Sequence, residues 1–212
     1  MSIRTDLALE SINAAKISEG ITKTERGKAF KITEINIAED KHGEKIGKKK
    51  GKYITLECSV FSCFSKDFRE MCEEFSEELS QFVPDGKVLV VGLGNNDITP
   101  DALGPQTASK ILATRHLKEE LKDEDDFLTS LRPVGVLASG VLGQTGIETA
   151  ELIDGLMEKI DPQAIIAVDA LACSDINRLG KPFSCPIPVF LRGAAFKINA
   201  VSFQKQHWAF RL

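Results

Sequence analysis

The sequence lacks an apolar run of membrane length and an amino-terminal apolar segment of the signal-peptide type, which favours a cytoplasmic protein. It also lacks an excess of positive charge, since 27 lysines and arginines face 31 aspartates and glutamates and the formal net charge is −4. This balance argues against a general binder of nucleic acid or of membrane surfaces. The five cysteines show no paired CxxC spacing, which indicates scattered reduced thiols. A chain of 212 residues can bury a full core, so we expect one domain with at most a small appendage.

The first half of the chain contains strand patterns followed by a helix pattern. Apolar and polar residues alternate over Phe30–Ala38, which indicates a half-buried strand, and a Gly/Lys-rich turn leads to a second strand at Tyr53–Glu57. We therefore expect an N-terminal β-hairpin over residues 30–57. Apolar residues recur at helical spacing through Asp67–Phe82, which predicts a helix that packs on the core.

From Lys87 onward the pattern becomes strand, helix, strand, helix, strand. Strands are predicted at Val88–Val91, Val134–Ala138 and Ala164–Val168, with helices at Gln106–Leu121 and Ile147–Ile160 between them. Crossovers of this length join parallel strands. The sequence therefore predicts an α/β fold in three layers, with a mostly parallel sheet and helices on both faces. No internal repeat is present.

Carboxylates follow two of these strands at their carboxyl ends. Asp101 lies in the loop Gly92–Gly104 after the first strand, and Asp169 comes directly after the third. Because open α/β sheets bind ligands along this edge, we expect both side chains in one crevice. Two alternatives remain open: Asp101 fits a Thr-Pro-Asp turn or an N-cap, and Asp169 fits a cap of the segment that follows it. The loop lacks the third glycine of a dinucleotide motif, so nucleotide binding is not favoured.

A pair of carboxylates that shares a water molecule can hydrolyse a peptide bond. One group, ionised, takes the proton of the water, while the other, kept protonated by the like charge nearby, polarises the carbonyl. Asp101 and Asp169 are the candidates for these two roles.

Six stretches stand out in order along the chain: Ser2–Ala8, Ile46–Glu57, Lys87–Pro105, Thr114–Leu117, Thr145–Thr149 and Ala167–Ala172. Together they resemble the germination protease family, the endopeptidases that degrade small acid-soluble spore proteins in spore-forming bacteria. The resemblance covers most of residues 2–181 and stops at Lys181. It implies that Asp101 and Asp169 are the catalytic aspartates of an endopeptidase that initiates spore-protein degradation at germination.

The resemblance carries further expectations about the site and its surroundings. It implies an atypical aspartic-type hydrolase of the forespore or spore core, a homotetramer made as a zymogen, and no cofactor. Met1 directly precedes the stretch that begins the processed form in the family, so we expect no removable prosegment here. Candidate binding residues flank the aspartates on the same edge: Asn95, Thr99, Gly140, Gly146 and Glu148.

A metal-dependent peptidase is an alternative, because the expected fold resembles that of hydrogenase-maturation peptidases, which bind metal. The three histidines, His42, His116 and His207, stand far apart in motif context, and His116, on a predicted helix, is the candidate ligand of this alternative. A surface or packed histidine is the more common role, so no metal site is predicted.

The tail from Pro182 to Leu212 resembles nothing in the family. Codons compatible with Pro182–Asn199, read one nucleotide out of frame, can encode TIQLSDTGISPGSGVQNK, which resembles the family segment expected at this place. We therefore predict a germination-protease-like domain over 1–181, incomplete at its C-terminus, and a frameshifted tail over 182–212. An inactive, truncated family member is the corresponding alternative function. Two smaller departures, Ser139 in place of a proline and the turn Cys173–Asp175, affect the expected shape of the site.

Overall fold

The computed structural model describes residues 7–15, 20–58, 66–120, 126–171 and 187–191. These residues form two compact units. The first contains the described residues up to Val83 together with Leu171 and 187–191, and the second contains those between Pro84 and Ala170. The domain boundary expected at Lys181 stays a prediction, and most of the tail lies outside the described residues.

The helices and strands, in chain order, are α1 (Ala8–Ala15), β1 (Ile21–Arg26), β2 (Lys31–Ile37), α2 (Asp40–Gly43), β3 (Gly51–Glu57), α3 (Phe68–Ser80), β4 (Val88–Leu93), α4 (Leu103–Ala108), α5 (Leu117–Glu120), α6 (Asp126–Ser130), β5 (Val134–Gly140), α7 (Leu142–Thr145), α8 (Thr149–Ile160), β6 (Ala164–Val168) and β7 (Ile187–Leu191).

The first unit is built on an antiparallel sheet in the order β1–β2–β3–β7. Successive strand residues face opposite sides of a sheet, and both sides are buried here. Ile35 and Ile37 pack with apolar residues of α1, whereas Ile32 and Leu56 pack with Met71 of α3. Strand β7 belongs to the segment that the sequence assigns to the tail, and it pairs with β3 from Lys52 to Leu56.

Helix α3 also stabilises the turn between β1 and β2 through one carboxylate. The two oxygens of Glu74 accept hydrogen bonds from the backbone N–H groups of Lys28, Ala29 and Phe30, at 2.8, 2.8 and 2.9 Å. One turn further along the helix, the carboxylate of Glu78 accepts a hydrogen bond from Arg26 at 2.7 Å. These contacts satisfy backbone donors that the turn would otherwise leave unpaired.

The second unit is built on a parallel sheet in the order β5–β4–β6, so the first predicted strand lies in the centre. Leu89 and Val91 pack against Ile153 and Met157 of α8. Gly92 faces the opposite side, where α4 lies against it. Helices thus cover both faces of this sheet. The predicted α/β architecture with a parallel sheet is confirmed, while the likeness to hydrogenase-maturation peptidases stays a prediction.

The single helix predicted over Gln106–Leu121 is wrong, because the structure has two short helices there, α4 and α5. The segment between them is held by the start of β5. The backbone N–H of Thr114 and that of Arg115 both donate to the carbonyl oxygen of Val134, at 3.0 and 3.1 Å. The Thr114 hydroxyl accepts the N–H of Val134 at 2.9 Å and donates to the carbonyl of Arg132. These tertiary hydrogen bonds stabilise a non-helical backbone at Thr114 and override the helix propensity of the segment. In the described part of the chain, no helix combines the length and apolarity that crossing a membrane requires.

Candidate active site

The loop that follows β4 holds Asp101 in a defined conformation. A short 3-10 turn, Thr99–Asp101, precedes α4, and the backbone N–H of Asp101 donates to the carbonyl of Ile98 at 2.8 Å. The carboxylate oxygen Oδ2 of Asp101 accepts the backbone N–H of Asn95 at 2.7 Å. A hydrogen bond of this kind to a carboxylate is short and strong. One side of the Asp101 carboxylate is therefore fixed by the backbone of its own loop.

Two glycines let this loop fold back on the sheet. Gly94 has φ +112°, and a β-carbon there would collide with the carbonyl oxygen of Asp101 and lie 3.1 Å from its carboxyl carbon. A β-carbon on Gly104 would collide with the carbonyl oxygens of Leu93 and Val168. The start of α4 therefore lies between the carboxyl ends of β4 and β6, in a space that admits glycine alone.

Asp169 stands at the same edge of the sheet. It directly follows Val168, which is the last residue of β6 and pairs with Gly92 of β4. Its Oδ1 accepts the backbone N–H of Ala170 at 2.8 Å, the local pattern of an aspartate in a turn. The start of α4, three residues after Asp101, contacts the residue before Asp169. The two predicted catalytic residues thus both lie along the carboxyl edge of the parallel sheet.

The end of β5 and the loop that leads to α8 carry three of the predicted binding residues. Gly140 and Gly146 have φ +68° and +69° and bracket the short helix α7, so each makes a left-handed turn. Glu148 is the N-cap residue of α8, where its carbonyl oxygen accepts the N–H groups of Glu151 and Leu152. Its exposed side chain makes no capping hydrogen bond. The role of these residues in substrate binding stays a prediction.

Asn95 and Thr99 lie in the loop of Asp101, and only Asn95 is buried, with 9% of its surface exposed. The side-chain Oδ1 of Asn95 accepts the backbone N–H of Asp97 at 2.9 Å and the Nε2 amide of Gln144 at 2.9 Å. Gln144 also donates to Oδ2 of Asp97 at 3.1 Å. Sequence reasoning missed Gln144, because the reach of one long side chain across two loops leaves no local pattern.

Ser139 is buried at the end of β5. Its hydroxyl donates to the carbonyl of Gly140 at 3.1 Å and accepts the hydroxyl of Thr149 at 3.2 Å. The departure from proline at this position therefore adds a polar link between β5 and the first turn of α8. The other noted departure, Cys173–Asp175, lies outside the described residues, as does His207.

Large apolar side chains are exposed on the two loops that leave this edge. On the loop of Asp101, Ile98 and Leu103 are 51% and 54% exposed, and on the loop after β5, Leu142 and Ile147 are 42% and 43% exposed. Loops that expose apolar side chains often carry binding residues. Among the described residues, no group of three or more histidine, cysteine, aspartate or glutamate side chains could hold a metal ion, and His116 is exposed.

Comparisons with known proteins agree on one family. The family model for germination proteases matches residues 4–184. Curated germination proteases from Clostridium acetobutylicum, Priestia megaterium and Caldanaerobacter subterraneus subsp. tengcongensis are 41%, 40% and 41% identical to the chain over 191, 196 and 186 residues. Each of these matches covers 84% of the chain and 58%, 52% or 57% of the relative. The chain thus spans a little over half the length of these relatives.

Proposed function

Because this chain belongs to the germination protease family, we propose that it carries the catalytic site of an endopeptidase that degrades small acid-soluble spore proteins. Asp101 and Asp169 are the catalytic residues of this proposal. The observation that carries it is the location of both carboxylates at the carboxyl edge of one parallel sheet, where folds of this class bind their ligands.

The chemistry requires a water molecule between the two carboxyl groups. An ionised carboxylate removes a proton from the water, whose oxygen attacks the carbonyl carbon of the scissile peptide bond. The second carboxyl group, protonated, donates a hydrogen bond to the carbonyl oxygen, where negative charge develops. The C–N bond then breaks, and the leaving nitrogen receives a proton from the pair. Oδ2 of Asp101 already accepts the N–H of Asn95, which leaves Oδ1 to face the water.

The substrate would be a polypeptide that lies across the two loops leaving this edge. Its backbone would meet the polar groups of Asn95, Thr99 and Glu148, and the turns at Gly140 and Gly146 leave room for a chain to approach. The apolar side chains that these loops expose would pack on side chains of the substrate. We further propose a homotetramer located in the forespore or spore core.

The test is cleavage of a purified small acid-soluble spore protein. It uses the 212-residue chain and a form whose reading frame is restored after Lys181. In the form that cleaves, Asp101→Asn and Asp169→Asn should each lower turnover by about 10³-fold or more, while both variants stay folded. The control Asp154→Asn removes an exposed carboxylate of α8 and should leave turnover unchanged. Near-normal turnover by either active-site variant removes that residue from the mechanism.

A chelator distinguishes this chemistry from that of a metal-dependent peptidase. We expect cleavage to persist after extensive dialysis against EDTA, since the two carboxylates activate water without a metal ion. Loss of cleavage that added zinc restores would favour the metal-dependent alternative.

A further inference from the structure

We propose that Gln144 is a positioning residue that holds the Asp101 carboxylate through Asn95. This inference rests on the proposed catalytic role of Asp101. Gln144 lies in α7, on the loop after β5, and Asp101 lies on the loop after β4. The link between them consists of three hydrogen bonds, from Gln144 to Asn95, from Gln144 to Asp97 and from Asn95 to Asp101, at 2.9, 3.1 and 2.7 Å.

The direction of each bond in this link is determined by its neighbour. The backbone N–H of Asp97 can only donate, so Asn95 must present Oδ1 to it. Oδ1 of Asn95 is an acceptor, so Gln144 can bond to it only by donating an N–H group. The carboxylate of Asp97 is an acceptor too and requires a donor as well. The two hydrogens of the Gln144 Nε2 amide satisfy both acceptors at once. No acceptor group could replace Nε2 without repulsion.

The backbone around Gln144 fixes the point from which its side chain extends. The left-handed residues Gly140 and Gly146 bracket α7, and the N–H of Gly146 donates to the carbonyl of Leu142 at 2.8 Å. The N–H of Gln144 itself donates to the carbonyl of Val141 at 2.9 Å. Gln144 is therefore carried on a closed turn, and its exposed side chain is held by its bonds to Asn95 and Asp97 in the neighbouring loop.

Asn95 connects Gln144 to the carboxylate of Asp101. Its side chain is held by Gln144, and its backbone N–H donates to Oδ2 of Asp101. The residue is almost fully buried, so it has little freedom to adjust if its side chain loses a partner. Displacement of Asn95 would turn the N–H away from Asp101, and a misplacement of about 1 Å can lower a rate by about 100-fold.

Two other roles for Gln144 give different experimental results. If it contacted the substrate directly, its replacement would raise KM and would not alter Asp101 in the free protein. If it only stabilised the loop, its replacement would lower the melting temperature without selectively disturbing Asn95. A positioning role predicts a lower kcat at unchanged KM, together with a change at the Asn95 amide.

The first experiment measures the Asn95 amide by NMR in the full 212-residue chain. In the unmodified chain its proton should resonate downfield, because it is bonded to the Asp101 carboxylate at 2.7 Å, and Asp101→Asn should move it upfield. Gln144→Ala should shift this proton upfield, and Gln144→Glu should shift it further, because a carboxylate would face the acceptors of Asn95 and Asp97. The matched control Gln81→Glu adds the same charge at the exposed end of α3 and should change nothing. An Asn95 amide that is unaffected by both Gln144 variants overturns the inference.

The second experiment measures kcat and KM of the same variants in the form of the protein that cleaves. We expect kcat to fall by about 10- to 100-fold in Gln144→Glu and by less in Gln144→Ala, with KM unchanged. In the Asp101→Asn background the Gln144 variants should cause no further loss. If both Gln144 variants are fully active while Asp101→Asn is inactive, the positioning role of Gln144 is overturned and the proposed function stands. Full activity of Asp101→Asn overturns the proposed function, and the positioning role with it.

Discussion

A β-carbon on Gly104 would collide with the carbonyl oxygen of Val168, the residue that precedes Asp169, so the backbones of these two residues pack closely. The same β-carbon would also collide with backbone atoms of Leu93 at the end of the neighbouring strand. This contact packs α4, the helix that follows Asp101, against the end of β6, the strand that leads to Asp169. The relative position of the two aspartates thus depends on a glycine that is not itself part of the chemistry.

Replacement of this glycine should therefore disturb both stability and activity. We expect Gly104→Ala to lower the free energy of unfolding by about 1–3 kcal/mol, because the new methyl group overpacks a contact made by backbone atoms. The matched control is Gly155→Ala in α8, where a β-carbon meets nothing within 4 Å. That change should stabilise the protein by up to about 1 kcal/mol. Urea unfolding of both variants measures the difference, and equal stability would contradict the close contact at Gly104.

The carboxylate of Glu74 should be a major stabilising group of the first unit. Glu74→Ala removes the acceptor of three backbone N–H groups and should cost about 2–3 kcal/mol. Glu77→Ala, at an exposed position of the same helix, should change stability by less than about 0.5 kcal/mol. Thermal unfolding of the two variants tests this prediction. Similar melting temperatures would show that the turn between β1 and β2 holds without Glu74.

A crystal structure should show the carboxyl groups of Asp101 and Asp169 within about 8 Å of each other, a separation that hydrogen bonds to one bridging water can span. The parallel pairing of β4 with β6 puts both loops on one edge, and the hydrogen bond from Asn95 engages Oδ2 of Asp101. A separation too large for a shared water would leave the two-aspartate mechanism without a geometric basis, whatever the family.

The reading frame after Lys181 yields a separate prediction. Resequencing of the gene across the Lys181 codon distinguishes a sequencing error, which would show one nucleotide more than the 212-residue sequence implies, from a true deletion, which would show the same sequence again. The frame-restored protein should cleave a spore protein that the chain as written leaves intact, because its glycine-rich segment permits turns that Val189, Phe190 and Leu191 disfavour. Comparable cleavage by the chain as written would show that residues 182–212 are compatible with catalysis.

Much of the second unit could be predicted from the sequence. The strands β4, β5 and β6 are short apolar runs bounded by turn residues, and this pattern identifies strands without any tertiary information, although only β4 is buried along most of its length. The helix expected over Gln106–Leu121 failed for a tertiary reason. Thr114 forms hydrogen bonds with Val134 in the structure. No sequence pattern within the segment predicts contact with a residue so far along the chain.

The sequence by itself determined that Asp101 and Asp169 follow parallel strands, and therefore that they meet the same edge of the sheet, because strand direction follows from the crossover connections. Only the tertiary structure decided which groups hold them there. Gln144 reaches Asn95 across 49 residues of sequence, and Gly104 contacts Val168. The physical reason is that periodicity reports which face of an element is buried. A single hydrogen bond or backbone contact between loops depends on their relative placement to within about 1 Å, which only the folded chain defines.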